Sequence, residues 1–122
     1  MSESIVKIKS FELAILGVNF YKHFVSDKKE FVMSKQFLRS ITSVGANVRE
    51  AVNAQSKMDF IHKLAIAQKE CDESLYWLEL LKETEYITKN DIDTNYYKAT
   101  EVLKIIKSII ISTKKNLKVK NS

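Results

Sequence analysis

Residues 36–54 carry two separate stripes of side chains, and both repeat with the period of a helix. The apolar stripe consists of Phe37, Ile41, Val44, Val48 and Ala51. The second stripe is small or polar and consists of Gln36, Ser40, Ser43, Asn47, Glu50 and Ala54. Alternating steps of four and three residues keep each stripe on one side of a helix. Since a surface helix needs only one apolar stripe, the second predicts a close polar neighbour.

The rest of the chain also favours helices over strands. Its 122 residues include no proline and only two glycines, which argues strongly against an all-β fold rich in turns. The length fits one domain, residues 1–122. We predict an all-α, antiparallel up-down-up-down four-helix bundle, because short connections make successive helices antiparallel neighbours. The predicted helices cover about residues 3–26, 34–54, 57–85 and 91–116, followed by a short basic tail, 117–122.

Two start signals and three further stripes support these helices. The motifs Ser56-Lys57-Met58-Asp59 and Thr88-Lys89-Asn90-Asp91 are typical of helix N-termini. Helix one is expected to bury Ile8, Phe11, Ile15 and Val18, with Leu13, Leu16, Phe20 and Phe24 widening that face. The stripe of helix three is Phe60, Leu64, Ala67, Cys71, Ser74, Leu78 and Leu81. The stripe of helix four is Ile92, Tyr96, Ala99, Leu103, Ile106, Ile110, Thr113 and Leu117.

The short turn near residue 55 sets the register between helices two and three. Facing residues should have numbers that add up to roughly 110, which places Arg39 opposite Glu70 and Glu73. We predict that Arg39 pairs with one of these acids; the alternative is a solvated surface pair of little energetic value. The candidate structural polar network comprises Arg39, Ser43, Asn47, Glu50, Glu70 and Glu73.

Helices three and four carry more apolar residues than their stripes require. The additional residues are Ile61, Trp77, Leu80, Val102, Ile105, Ile109 and Ile111. Self-association is the simplest way to cover them, so we expect a homo-oligomer. A monomer with a large core is the alternative.

Charge is spread unevenly over the chain, whose net charge is +5. Acidic residues dominate between Glu70 and Asp93, whereas the end of the chain is rich in lysine and has no acid. The candidate nucleic-acid-binding residues are Lys104, Lys107, Lys114, Lys115, Lys118 and Lys120. Because lysine attracts phosphate as a point charge, RNA or DNA would bind with little sequence preference. A solvated helix face is the alternative, as is a scaffold that captures a partner protein through its acidic or apolar surface.

No arrangement of residues predicts catalysis, a cofactor or a metal. Asp59 and His62 have the acid-x-x-His spacing of di-iron bundles, but such sites require two of these steps and further carboxylates. Cys71 lies on an apolar stripe and is expected to be a buried small side chain. We therefore expect a protein that is not an enzyme. With a single cysteine, no signal peptide and no membrane segment, a cytoplasmic location is expected.

The segments QFLRSITSVGANVREA and FIHKLAIAQKECDESLYWLELL resemble the family named four helix bundle protein, or 23S rRNA intervening-sequence protein. The family pattern falls on Arg39, Ser43, Ala46-Asn47 and Glu50, then on Glu70 or Glu73 and residues 76–78. The resemblance covers about residues 5–115.

This resemblance implies an up-and-down four-helix bundle that assembles as a homopentamer. It also implies a bacterial protein, in some cases encoded within sequences that interrupt large-subunit rRNA genes. A related branch, the accessory variability determinant of diversity-generating retroelements, is a basic pentamer that binds nucleic acid and a reverse transcriptase. The position of a gene does not define a function, so the resemblance alone implies no ribosomal role.

Overall fold

Helix-forming sequence accounts for nearly all of the folded chain. A computed structural model describes the backbone of residues 2–121 and the side chains of residues 5–118. This part of the chain contains no strand and four helices: α1 (Ser2–Lys28), α2 (Met33–Val52), α3 (Lys57–Glu83) and α4 (Lys89–Asn121). The all-α class is therefore confirmed. Most predicted bounds lie within two residues of the observed ones, but α4 continues to Asn121, so residues 117–121 of the predicted tail are helical.

Both predicted start signals form helix caps. The Ser56 hydroxyl oxygen accepts a hydrogen bond from the Asp59 backbone N–H at 3.0 Å. The Asp91 carboxylate accepts from the Thr88 backbone N–H at 2.8 Å, and the Thr88 hydroxyl accepts from the Asp91 N–H at 3.3 Å. These bonds satisfy backbone donors that have no partner inside a helix. The Thr88 N–H also holds the pKa of Asp91 below its usual value.

The start of α2 has a cap that no motif in the sequence indicated. Glu30, assigned to a loop, accepts hydrogen bonds from the backbone N–H groups of Val32, Met33 and Ser34 at 2.8, 2.9 and 2.9 Å. Partial burial opposes ionisation, but these three donors outweigh it and lower the pKa of Glu30. An ionised carboxylate suits the partial positive charge at this helix end.

Helix α1 buries a different face from the predicted one. Ile8, Phe11 and Ile15 were expected in the core, but they are 57%, 55% and 47% exposed. The side of α1 that faces the core instead carries Val6, Ser10, Leu13, Gly17 and Phe24. This set also follows a helical repeat, but Ser10 and Gly17 are not apolar and did not count towards an apolar stripe.

Gly17 shows why a small residue lies on this side of α1. A Cβ atom added at Gly17 would lie 2.5 Å from Cγ2 of Ile41, whose side chain is fully buried. Real atoms do not approach so closely, and branched Ile41 has few alternative rotamers. The glycine therefore permits α1 and α2 to pack closely.

The stripes of the other three helices were predicted correctly. All five apolar residues of the α2 stripe are buried, and so is every residue of the α3 stripe except half-buried Phe60. In α4, Ile92, Ala99, Leu103, Ile106 and Ile110 are buried. These residues form one hydrophobic core together with the buried residues of α1.

Each helix contacts two neighbours, in the ring order α1, α2, α3, α4 and back to α1. Representative contacts are Phe20–Phe37, Glu50–Lys63, Glu79–Tyr96 and Glu12–Lys98. A single core is thus enclosed by four helices, and each helix leaves one side facing outward.

Candidate nucleic-acid interface

The predicted lysines lie on the outward side of α4. The side chains of Lys104, Lys107, Lys114, Lys115 and Lys118 are described, and all five are exposed. We call these five residues the α4 lysine face. The side chain of Lys120 lies outside the described residues. Among the described side chains, no Asp or Glu oxygen lies within 4.0 Å of a nitrogen of this face.

Two acids, one on α1 and one on α4 itself, set where this face begins. Nζ of Lys98 lies 2.8 Å from Glu12 and 3.4 Å from Glu101, and Nζ of Lys9 lies 3.6 Å from the same Glu101. These acids neutralise the lysines between α1 and α4. Beyond Glu101, α4 has no acidic residue, so its positive charge is not neutralised within the helix.

The spacing of the face suits an extended anion. Steps of three, seven and four residues keep Lys104, Lys107, Lys114 and Lys118 on one side of the helix. At a rise of about 1.5 Å per residue, the face extends for roughly 20 Å. This length is comparable with several consecutive phosphates of a nucleic-acid strand.

The predicted pairing of Arg39 with the acids of α3 is confirmed. Nη1 of Arg39 donates to Oε2 of Glu70 at 2.6 Å, and Nη2 donates to Oε2 of Glu73. The same Glu73 oxygen accepts from the Trp77 indole N–H at 3.0 Å, an interaction that the sequence analysis did not identify. The Trp77 bond lowers the pKa of Glu73, burial opposes this, and Arg39 lowers it further. The cluster joins α2 to α3.

The other members of the predicted polar network make separate contacts. Asn47 Nδ2 donates to the Ser43 carbonyl oxygen at 2.9 Å, within α2. Glu50 lies 3.0 Å from Nζ of Lys63 on α3. Among the described residues, no hydrogen bond connects these two contacts to Arg39. The six residues therefore support the helix pair locally rather than forming one site.

The prediction that the additional apolar residues of α3 and α4 need a second copy to cover them is wrong for most of these residues. Val102 and Ile61 are buried in the core, and Ile105, Ile109 and Trp77 are packed against it. Leu80 is also half-buried, and only Ile111, at 59%, is exposed. A single chain thus covers most of this apolar surface, since α4 contacts both α1 and α3.

Exposed apolar residues are concentrated on α1 instead. Ile5, Ile8, Phe11 and Ile15 are 51%, 57%, 55% and 47% exposed, and we call them the α1 apolar face. Their spacing of three and four residues places them on one side of the helix. Next to this face, the Arg49 guanidinium carbon lies 5.8 Å from the centre of the Phe11 ring. The prediction that three of these residues, Ile8, Phe11 and Ile15, lie in the core is wrong.

Cys71, the single cysteine, lies in an environment that does not favour a nucleophile. Cys71 is fully buried, as predicted, and its thiol donates to the Ala99 carbonyl oxygen at 3.2 Å. Burial raises the pKa of Cys71 to about 12, so the reactive thiolate does not form near neutral pH. Within the described residues, no group of three or more His, Cys, Asp or Glu residues is placed to hold a metal ion. None of the described helices has an apolar segment that could cross a membrane.

These observations define the class of protein: it is all-α, with four helices around one core and a lysine face that is not neutralised. The chain belongs to the 23S rRNA-intervening sequence protein family, whose model matches residues 2–108. The resemblance is thus confirmed for the family, whereas the relation to the accessory variability determinant stays a prediction. The matched region includes Lys104 and Lys107 but ends before Lys114.

The chain is also similar to a protein of known structure from Bacteroides thetaiotaomicron VPI-5482. The two are 55% identical, with a TM-score of 0.87 over 90% of this chain and 98% of the other. That protein is described as having unknown function and as a member of the S23 ribosomal protein family. No curated protein matches the sequence.

Proposed function

We propose that the chain is a non-enzymatic, homo-oligomeric helical bundle that binds RNA or DNA through the α4 lysine face, with little sequence preference. The observation that carries this proposal is the exposure of five lysines on α4, with no carboxylate close to them among the described side chains. Five separate ammonium groups attract phosphates and release counterions, but they lack the fork with which arginine reads guanine. A nucleic-acid backbone is therefore the ligand that best matches the surface.

The proposal includes the arrangement of the helices and their assembly. An antiparallel, up-down-up-down order is supported by two contacts between α2 and α3, Arg39–Glu70 and Glu50–Lys63, because residue numbers rise along one helix as they fall along the other. Assembly through the α1 apolar face, with five copies as the resemblance implies, would cover side chains that are about half exposed. In a closed ring the lysine face is repeated, so a long polyanion contacts several copies at once.

The names of the relatives give a reason to test RNA first. One name refers to sequences within 23S rRNA and the other to a ribosomal protein family. RNA and DNA share the phosphate backbone on which this proposal depends. The proposed contact is with that backbone, so single-stranded RNA and DNA of equal length should bind with similar affinity.

Replacing Lys104, Lys107, Lys114 and Lys118 by Gln should abolish most of the binding. For each phosphate that the variant no longer neutralises, the slope of log K against log salt should become shallower by about 0.7 for a single strand. We expect the wild type to bind labelled RNA at low salt and to lose affinity steeply as salt rises. Fluorescence anisotropy at two or more salt concentrations measures both quantities.

A matched variant distinguishes the contribution of this face to binding from the effect of net charge alone. Lys22, Lys29, Lys35 and Lys89 are also exposed, but they lie at the opposite end of the bundle, and replacing them by Gln removes the same charge. This second variant should retain most of the affinity. Equal losses in the two variants, or no binding by the wild type at low salt, would contradict the proposal.

Phe11→Glu should dissociate the assembly. A charge placed on the α1 apolar face must lose its water in an interface between copies, which is costly, whereas it is solvated in a monomer. We expect the wild type to have about five times the mass of the 14.1 kDa chain by light scattering, and the variant to approach that of one chain. Phe31→Glu is the control, because Phe31 is equally exposed, at 57%, in the loop after α1. A monomeric wild type, or equal masses for both variants, would refute assembly through this face.

The alternative function is a protein-interaction scaffold without a nucleic-acid role. The α1 apolar face is the observation that favours it, since a partner protein is another way to cover this surface. A monomeric wild type that fails to bind RNA and DNA at low salt would favour the scaffold over the nucleic-acid protein.

A further inference from the structure

Ile111 is an exposed apolar residue at the centre of the α4 lysine face. It lies seven residues after Lys104 and seven before Lys118, so it marks the midpoint of the face along the helix. Residues three or four positions apart are neighbours on the surface of a helix. The neighbours of Ile111 on this face are all lysines: Lys107, Lys114 and Lys115. A polyanion held along the whole face therefore passes over the Ile111 side chain.

The surrounding lysines do not cover Ile111. It is 59% exposed, although the aliphatic stems of lysines often cover apolar neighbours on a helix. Ile106 and Ile110, by contrast, are buried on the core side of α4 and supply its packing. Ile111 thus presents apolar surface to solvent in the middle of a charged face, where a bound ligand would cover it.

Tyr97 shows why exposure alone does not define such a contact. It is 74% exposed on the same helix, but Asp93 and Glu101 lie four residues before and after it. These acids disfavour a phosphate backbone at Tyr97. Within four residues of Ile111 on either side there are three lysines and no acid. Of these two exposed side chains, only Ile111 lies where phosphates are attracted.

Unpaired bases are the apolar surfaces that accompany a row of phosphates. In a regular duplex the bases are stacked on one another, and their flat faces are not available to a protein side chain. In a single strand the bases are splayed out, and their faces pack against side chains beside a basic surface. Every base has such a face, so the contact adds affinity without sequence preference. An apolar side chain among phosphate-binding lysines therefore suits a strand with unpaired bases.

We propose that the α4 lysine face binds nucleic acid with unpaired bases, one of which packs against Ile111. This inference rests on the proposed nucleic-acid function and specifies its substrate class. The lysines hold the phosphates on either side of Ile111, while the base removes its exposed part from water. Burial of this part of the isoleucine side chain corresponds to an about fivefold gain in affinity.

An abasic strand separates the base contact from the phosphate contacts. The probes are an oligothymidine strand, an abasic strand of equal length and a DNA duplex of equal length. Fluorescence anisotropy at low salt measures their affinities for the full chain. The wild type should bind the oligothymidine strand more tightly than the abasic strand. Ile111→Ala should lower the affinity for oligothymidine about fivefold and leave the affinities for the abasic strand and the duplex unchanged.

Two further variants test the nature of the contact. Ile111→Trp should bind oligothymidine more tightly than the wild type, because an indole ring offers a base a larger stacking surface. Both Ile111 variants should keep the salt slope of the wild type, since neither removes a phosphate contact. Val32→Ala is the control: Val32 is 75% exposed just before α2, and its truncation should leave every affinity unchanged. Equal melting temperatures for the wild type and Ile111→Ala would show that the fold is intact, as expected for an exposed position.

The outcomes distinguish this inference from the function on which it rests. Equal, salt-dependent binding of the oligothymidine and abasic strands by the wild type would overturn the inference and leave the proposed function intact. Absence of binding to all three probes would overturn both. Vesicles containing phosphatidylserine test the other surface that combines negative charge with apolar groups. If Ile111→Ala weakens binding to these vesicles but not to oligothymidine, Ile111 contacts lipid and the assignment to a base is refuted.

Discussion

Phe37→Ala is expected to reduce the free energy of unfolding by about 3–5 kcal/mol, which is a large fraction of the stability of a domain of this size. Phe37 is fully buried, and its ring meets that of Phe20 edge-on at 5.4 Å. Phe20 stacks on Phe24, and Phe24 contacts Tyr86 at 6.2 Å, just beyond the end of α3. Truncation leaves a cavity between α1 and α2, at the start of this row of rings. Denaturation with guanidinium chloride at fixed protein concentration measures the loss.

Phe31→Ala is the matched control for this truncation. Phe31 lies in the α1–α2 loop and is 57% exposed, so the same substitution should change stability by no more than about 0.5 kcal/mol. Fixed concentration matters because an oligomer gains apparent stability as protein concentration rises. Similar costs for the two variants would mean that Phe37 does not fill the core as described.

Helix α2 could be predicted in detail because its apolar residues occupy one side only. Every residue of the stripe from Phe37 to Ala51 is buried, and the polar side opposite supplies Arg39. When the two classes of residue lie on different sides, the repeat alone fixes which side enters the core.

Helix α1 could not be predicted in this way because its apolar residues surround the helix. One set includes Ile8 and Ile15, another includes Val6 and Leu13, and either fits a helical repeat. The choice depends on the close packing of α1 against α2, which requires a small residue at Gly17. Apolar periodicity takes no account of size, so it selected the exposed set.

The candidate sites divide along similar lines. The α4 lysine face was accessible to sequence analysis because lysine is rarely buried and its repeat places it outward. The burial of Asn95 could not be predicted, because a helical repeat assigns polar residues to the surface, whereas the Asn95 side chain is only 6% exposed. Glu30 was missed for another reason: it caps α2 from a position before the helix rather than from the usual capping position. Such groups are identified only when the contacts of each atom are known.

Arg39→Ala is expected to reduce the free energy of unfolding by about 2 kcal/mol, which is more than a typical surface substitution costs. The Glu70 side chain is only 9% exposed, so the variant leaves a buried carboxylate without its cation. Loss of one partner of a fully buried pair costs about 3–5 kcal/mol. We expect the smaller loss of about 2 kcal/mol because the Arg39 side chain is 48% exposed, so water reaches the position that it leaves. The other arginine provides the control: Arg49→Ala on the same helix should cost under about 1 kcal/mol, since Arg49 lies over Phe11 and not beside a buried acid.

A double variant distinguishes the role of the pair from the loss of one partner. Arg39→Met combined with Glu70→Met removes both charges and keeps apolar volume, so its free energy of unfolding should lie within about 1 kcal/mol of that of the wild type.

Glu73 adds a pH readout, since its pKa is lowered in the folded protein by Trp77 and Arg39. A lowered folded-state pKa stabilises the protein above the unfolded value of about 4.3, and this contribution is lost as the pH falls through the folded value. The cost of Arg39→Ala should therefore shrink between about pH 5 and pH 3 in urea denaturation. A cost that is independent of pH, or a double variant as unstable as Arg39→Ala, would mean that packing rather than charge joins α2 to α3 at this position.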